Sequence, residues 1–237
     1  MIAIDTHTHT VASGHFTTDT VRDLALAASA AGLQALAITD HGPAIMNSAK
    51  AGYFRSLLLG TRERYGVKLF FGAEVNVMDA SGRVDLDAET MVKLDFCIAS
   101  LHVPCCKPAG IAENTSALTN AMKHPSVSII GHPNDAKYPL DLEELVSCAA
   151  RERVMLELND TSLTPGNYRG DVRAEAKEML RLCAKYGVSV SLGSDSHGRA
   201  RVGDVSHCEV LLAEVNFPDE LVANRTLEGF LSRLKKA

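Results

Sequence analysis

No stretch of the 237-residue chain approaches the ~20 consecutive apolar residues of a membrane-spanning helix. The first residues, Met1-Ile2-Ala3-Ile4-Asp5, lack the basic segment and long apolar run of a secretory signal. No basic run exceeds the Lys235-Lys236 pair, and 24 Lys plus Arg against 29 Asp plus Glu leave a net charge of −5. That balance gives no electrostatic footprint for long nucleic acid, although a metal could hold a small anion locally. No Cys-x-x-Cys occurs among Cys97, Cys105, Cys106, Cys148, Cys183 and Cys208. With no export signal they are expected to stay reduced, in a cytoplasmic protein. Cys97, Cys148 and Cys183 read as small buried hydrophobes, while Cys105-Cys106 follows His102 in a loop that could touch a site.

With 46% hydrophobic and 22% charged residues, the chain is neither disordered nor of low complexity. A domain of this size buries roughly 70–75% of its unfolded surface and needs no staples. No composition shift marks a boundary, so residues 1–237 read as one domain.

Apolar strand-like runs alternate with helical patterns. The runs are Ile2–Asp5, Ala35–Thr39, Lys68–Glu74, Asp95–Ala99, Val127–Ile130, Val154–Leu158 and Val188–Leu192. Helices are predicted from near Thr18 to before Gly32 with Val21, Leu24 and Ala28 inward, over Asp141–Ala150, and over Asp171–Tyr186 with Gly187 as C-cap. Asp79-Ala80-Ser81-Gly82 reads as a turn. Strand-helix alternation with continuous apolar strands implies a parallel sheet covered by helices, and seven units suit a closed barrel better than an open sheet.

Polar residues cluster just after each strand: His7, His9 and His15; Asp40 and His41; Glu74; His102; His132; Glu157 and Asn159; Asp195 and His197. In a parallel barrel these ends open on one face, where active sites of such folds sit. Seven of the nine histidines therefore converge on one mouth, while His124 and His207 read as structural. Imidazoles packed together repel when protonated and waste acceptors when neutral unless a cation sits among them. Histidine is the commonest metal ligand, and carboxylates can bridge ions. Nine candidate ligands, His7, His9, His15, His41, Glu74, His102, His132, Asp195 and His197, exceed one tetrahedral ion and suit two or three. Metal pairs about 3.5–4 Å apart clamp phosphoryl groups and generate a hydroxide nucleophile.

His7-x-His9, Thr39-Asp40-His41, Glu74, His102, Gly131-His132-Pro133 and Gly193-Ser194-Asp195-Ser196-His197, in this order, resemble the PHP (polymerase and histidinol phosphatase) family over nearly the whole chain. Gly131-His132-Pro133-Asn134, Lys137-Tyr138-Pro139 and Leu156-Glu157-Leu158-Asn159 resemble its small stand-alone YcdX-type phosphatases. The resemblance implies a distorted (βα)7 TIM-like barrel with three divalent ions at the strand ends, zinc first, manganese or iron in some members. Carried over, His7, His9, Glu74 and Asp195 would hold one ion. Glu74 would bridge to a second held by His102 and His132, and His15, His41 and His197 would hold the third.

The expected reaction is hydrolysis of a small phosphomonoester by a metal-bound hydroxide at this trinuclear centre. Asp195, Glu74 and Asp40 are the candidate catalytic carboxylates, Asp40 by orienting a ligating histidine or, more plainly, by capping a turn. Lys137, Arg199 and Arg201 lie in loops beyond the ligands and could hold the substrate phosphate. The alternatives are a phosphodiesterase or exonuclease on short nucleic acid, a histidinol-phosphate phosphatase, and an amidohydrolase-type C–N hydrolase. Against the last, Glu74 and His102 stand where those enzymes place a carboxylated lysine. A non-catalytic metal-binding module would be expected to have lost ligands, and none is missing. Substrate identity and homo-oligomeric state stay open at this point.

Overall fold

The computed structural model describes residues 1–235, so Lys236 of the terminal basic pair lies outside it. The strands are β1 (Ile4–Asp5), β2 (Thr8–His9), β3 (Ala35–Ile38), β4 (Glu63–Arg64), β5 (Val67–Phe71), β6 (Ala73–Asn76), β7 (Cys97–Ser100), β8 (Val127–Ile130), β9 (Met155–Asn159), β10 (Val190–Gly193) and β11 (Ser196–His197). The helices are α1 (Val21–Ala30), α2 (Ala51–Leu57), α3 (Ala88–Met91), α4 (Ile111–Ala121), α5 (Leu142–Glu152), α6 (Asp160–Leu163), α7 (Arg173–Tyr186), α8 (Ser206–Glu214) and α9 (Leu227–Arg233).

Every apolar run read from the sequence forms a strand, and the third is divided at Gly72 into β5 and β6. β5 pairs with β3 and β6 with β7, both in parallel, so this strand leaves one sheet and enters the next. The strand order is β1-β3-β5 in the first sheet, with β4 antiparallel at its edge, and β6-β7-β8-β9-β10 in the second. The parallel α/β arrangement is as expected. The predicted ring, however, is not closed by a continuous backbone ladder. Among the described residues, β1 and β10 are joined through side chains. Asn224 Nδ2 donates to Ile4 O (2.9 Å) and Leu192 O (2.8 Å), while its Oδ1 accepts from Leu192 N (3.0 Å). Ser194 Oγ donates to Asp5 Oδ2 at 2.6 Å, and the short parallel pair β2–β11 lies above.

Alternate residues of the strands face opposite ways. In β3, Leu36 and Ile38 pack outward in the helix-covered core, while Ala35 and Ala37 turn inward with Ile4, Ile98, Ile129 and Met155. Phe96 and Phe230 plug this inner cluster, their rings edge-to-face at 5.3 Å. The same two-residue period puts Glu157 and Asn159 on the face of Met155. The interior is therefore apolar near the strand starts and polar at their ends.

Capping positions the helices. Thr20 N donates to the Asp23 carboxylate (2.9 Å) at the start of α1, whose Leu24 and Ala28 are buried and whose Val21 is half-buried. Asp141 accepts from Glu144 N (3.0 Å) at α5, and α7 ends on Gly187 with φ +69° as predicted. Gly82 N closes the turn onto Asp79 O at 3.0 Å. Among the described residues no helix is long and apolar enough to cross a membrane. All six cysteines are free, with Cys97, Cys148 and Cys183 buried.

Candidate metal centre

The turn of each strand into its loop aims one donor at a common point. His7 and His9, two residues apart on extended chain, present their rings side by side with centroids 4.9 Å apart. Asp195 and His132 follow their strands with positive φ, +53° and +27°, a conformation that non-glycine residues adopt at a cost. Gly193 leaves room for Glu157 against His7: a Cβ there would lie 2.0 Å from Glu157 Oε1 and 2.9 Å from His7 Cβ.

Glu74 lies fully buried at the centre, and its two oxygens face different histidines. Oε1 is 2.9 Å from His132 Nε2 and 3.4 Å from His102 Nε2. Oε2 is 2.6 Å from His41 Nδ1, 3.4 Å from His7 Nε2 and 3.6 Å from His9 Nε2. Asp195 Oδ1 lies 3.2 Å from His9 Nε2 and 3.8 Å from His7 Nε2. His197 Nε2 and His15 Nε2 are 3.2 Å apart. The structure thus gathers all nine candidate ligands. Three overlapping sets have donor atoms within 4.8 Å of one another: His7, His9 and Asp195; His41, Glu74 and His102; and His9, His41 and His197. His41 stands between two of these sets, closer to Glu74 than the family pattern implies.

His7 Nε2, His9 Nε2 and the facing pair His41 Nδ1 and Glu74 Oε2, close at 2.6 Å but misaligned, are buried without a hydrogen bond. Buried polar atoms in native folds are almost always satisfied, so four orphans aimed at one point fit a cation among them. Electrostatics divide the histidines. Burial disfavours charge on His7, but the facing Glu157, Glu74 and Asp195 outweigh it and hold His7 well above the usual imidazole range. Burial and the neighbouring His197 and His41 hold His9 well below the usual imidazole range. Burial, His41 and His197 bring His15 down to about 4, leaving these rings neutral as ligands must be. Burial opposes charge on Glu74 and Asp195, but the facing groups outweigh it and hold both well below the usual carboxylate range, His7, His102 and His41 at Glu74 and, at Asp195, His7 and Arg169.

The far ring nitrogens are held from outside, which turns the other nitrogens inward. His7 Nδ1 meets Glu157 Oε1 at 2.7 Å, and His102 Nδ1 meets Asn76 Oδ1 at 2.7 Å. His9 Nδ1 donates to Ser13 Oγ (2.9 Å), which donates to Asp40 Oδ1 (2.7 Å). Asp40 therefore touches no histidine itself. It reaches His9 through Ser13 and also accepts from Thr10 N at 2.6 Å.

The cationic candidates separate. Arg201 is engaged by Asp160 (2.6 Å), Asp204, Thr161 and Thr164, and Arg199 by Asp19 at 3.3 Å. Neither contacts a candidate ligand. Lys137 bonds Tyr168 O, and its Nζ sits 4.7 Å from the Tyr168 ring centre. Arg169, which no sequence motif singled out, lies 3% exposed beneath that ring and donates to Asp195 Oδ2 at 3.0 Å. Asp195 Oδ1 is thereby left for the cluster. Glu157 likewise carries a role that its motif did not specify. It accepts His132 N at 2.7 Å and Asn159 Nδ2 at 3.0 Å besides holding His7.

The backbone amides of Cys105 and Cys106 donate to His102 O (2.8 and 2.9 Å), and burial pushes the Cys105 thiol up to about 11, away from thiolate chemistry. His207 binds Asp160 at 2.9 Å and His124 accepts from Ser126 N, both structural.

Fold and site define a parallel α/β protein with a convergent histidine–carboxylate donor set at its strand ends. The chain belongs to the PHP domain family, whose pattern matches residues 5–192. It is 38% identical over 234 residues to a "Probable phosphatase" of Caldicellulosiruptor bescii, covering 99% of this chain and 96% of that one. A "Probable phosphatase" of Clostridium novyi is 40% identical over 232 residues, covering 98% and 94%. The histidinol phosphate phosphatase of Lactococcus lactis, solved with zinc, L-histidinol and phosphate, shares the fold at a TM-score of 0.59 and 17% identity, covering 91% of this chain and 94% of that one.

Proposed function

We propose that this protein is a metal-dependent phosphatase hydrolysing a small phosphomonoester at a trinuclear centre, on a single distorted (βα)7 domain spanning 1–237. The observation that carries the reading is the set of four buried donor atoms without a hydrogen bond, three histidine nitrogens and Oε2 of Glu74 itself, the two Glu74 oxygens facing separate groups of histidines. His7, His9, Glu74 and Asp195 would hold one ion, Glu74, His102 and His132 a second, and His15, His41 and His197 a third. Such ions lower the pKa of water and neutralise charge on phosphoryl oxygens. Zinc is the ion to load first, being the one solved with the Lactococcus enzyme; the same donors serve manganese and iron.

The chain's own residues do the rest. Glu157, Ser13 and Asn76 fix the rings, and Arg169 fixes Asp195. Lys137, with its ammonium on the rim, offers charge to the phosphate. The P–O bond to the alcohol breaks as water oxygen bonds to phosphorus, giving the alcohol and inorganic phosphate. The acidic charge balance favours a small ester over nucleic acid, and six free thiols suit the cytoplasm.

Release of p-nitrophenol from p-nitrophenyl phosphate tests this, measured before and after chelation and after zinc or manganese is restored. Activity lost with the chelator and regained with metal is the expected result. A metal-loaded protein that cleaves neither this ester nor a panel of other phosphomonoesters would sink the proposal.

A further inference from the structure

Phe16 is a large apolar residue in a double predicament. Its side chain is 86% exposed, and its backbone stands at φ +60°, the left-handed region that bulky residues avoid. A tight turn, Thr17 N donating to His15 O at 2.9 Å, holds that conformation, but no burial of the ring repays it within the chain. Residues held this way concentrate at functional sites.

Its loop is locked rather than loose. Gly14, at φ +83°, packs so closely on the following loop that a Cβ would lie 2.4 Å from the Asn47 carbonyl carbon, and Ala49 N donates to Ala12 O at 2.8 Å. The lock sets the ring edge-on against His15 (centroids 4.6 Å apart, planes at 85°) and near His197 (5.7 Å, 71°). His197 in turn lies 3.7 Å from Asp195 Oδ1, so an apolar ring stands in the open beside the donor cluster. The other exposed aromatic of this rim, Tyr168, already has Lys137 and Arg169 against its ring, each 4.7 Å from the centroid. Phe16 has no such partner among the described residues.

We infer that Phe16 is a specificity-determining residue whose open ring takes the flat face of an aromatic or heteroaromatic leaving group, so that the preferred substrates are phosphomonoesters of ring-bearing alcohols. The substrate class rests on the phosphatase reading above; the ring-binding role of Phe16 does not. Stacking of a flat ring on an aromatic side chain is large enough to read, on the order of 5- to 100-fold per ring.

The test compares p-nitrophenyl phosphate with glycerol 2-phosphate in the parent, Phe16→Ala, Phe16→Gly and Phe16→Trp. The expected result is that the aryl-to-alkyl ratio of kcat/KM falls roughly tenfold in the Ala and Gly variants and is kept in Trp. Phe16→Gly, freed of the left-handed strain, should also melt higher than the parent. An unchanged ratio, or equal losses on both esters with lowered metal content, would overturn the inference and make the ring a shield for His15 and His197. Loss of a dimer with the ratio unchanged would overturn it too, marking the ring as a subunit contact. If the parent cleaves neither ester, binding of phenylphosphonate against methylphosphonate is read by calorimetry. A phenyl preference lost in Phe16→Ala would then uphold ring recognition while the phosphatase reading fails, and no preference would refute ring recognition.

Discussion

Glu157 makes three contacts on one carboxylate: the ring of His7, the amide of His132 and the amide group of Asn159. All three partners donate, so the side chain must be acceptor-only. Glu157→Gln keeps the shape but turns an NH2 group toward one donor, loosening both histidines. Metal affinity should drop about 10- to 100-fold, as for other outer partners of ligating histidines. Equilibrium dialysis against a zinc buffer checks this, and full affinity in the variant would remove Glu157 from the support of the centre. The residue was half visible in the sequence. Leu156-Glu157-Leu158-Asn159 alternates apolar and polar at a strand end, which marks the polar pair as inward, but nothing in one strand says which histidine lies opposite. Arg169 was invisible, because its loop follows no period and its partner Asp195 is 26 residues away.

At the scale of elements, the strands were legible because both faces are covered and each therefore reads as an unbroken apolar run. Helix α4 was not. Its buried residues include Asn114 and Thr115, which blur the apolar stripe because they serve neighbouring loops. Asn114 Nδ2 donates to Ala109 O and Pro139 O, and Thr115 Oγ1 accepts from Asp141 N at the start of α5. The seam was equally unreadable, since Asn224 looks like any loop asparagine. Its segment is anchored by Arg225, which grips Glu209 of α8 with both terminal nitrogens and Asp219 through Nε at 2.7 Å. The hydrogen bonds from Arg225 bring the Glu209 carboxyl from its ordinary 4.5 to about 2. A lowered folded pKa means stability that is present above pH 4.5 and is lost as pH falls toward 2. Arg225→Ala should therefore cost about 0.5–1 kcal/mol at neutral pH, and the gap to the parent should close between about pH 4.5 and 2. Urea midpoints measured across that range would show it; a gap independent of pH would assign the loss to packing instead.

For the whole molecule, the ligands are distributed unevenly about the seam. His7 and His9 stand on the β1–β2 lip and Asp195 and His197 on the β10–β11 lip; backbone pairing between the lips is confined to the short β2–β11 ladder, and below it β1 and β10 are joined by side chains. Any ion shared by His7, His9 and Asp195 is thus also a rivet through the wall of the protein. Chelation should lower the melting temperature and speed amide exchange at Leu192 and Ser194 before it does so at β7 or β8, the middle of the second sheet. Uniform exchange across the sheet would show that the wall holds without the rivet. In a cell, metal supply would then govern how long each copy survives proteolysis as well as whether it works, so that starvation for the ion would reduce the number of enzyme molecules along with their turnover.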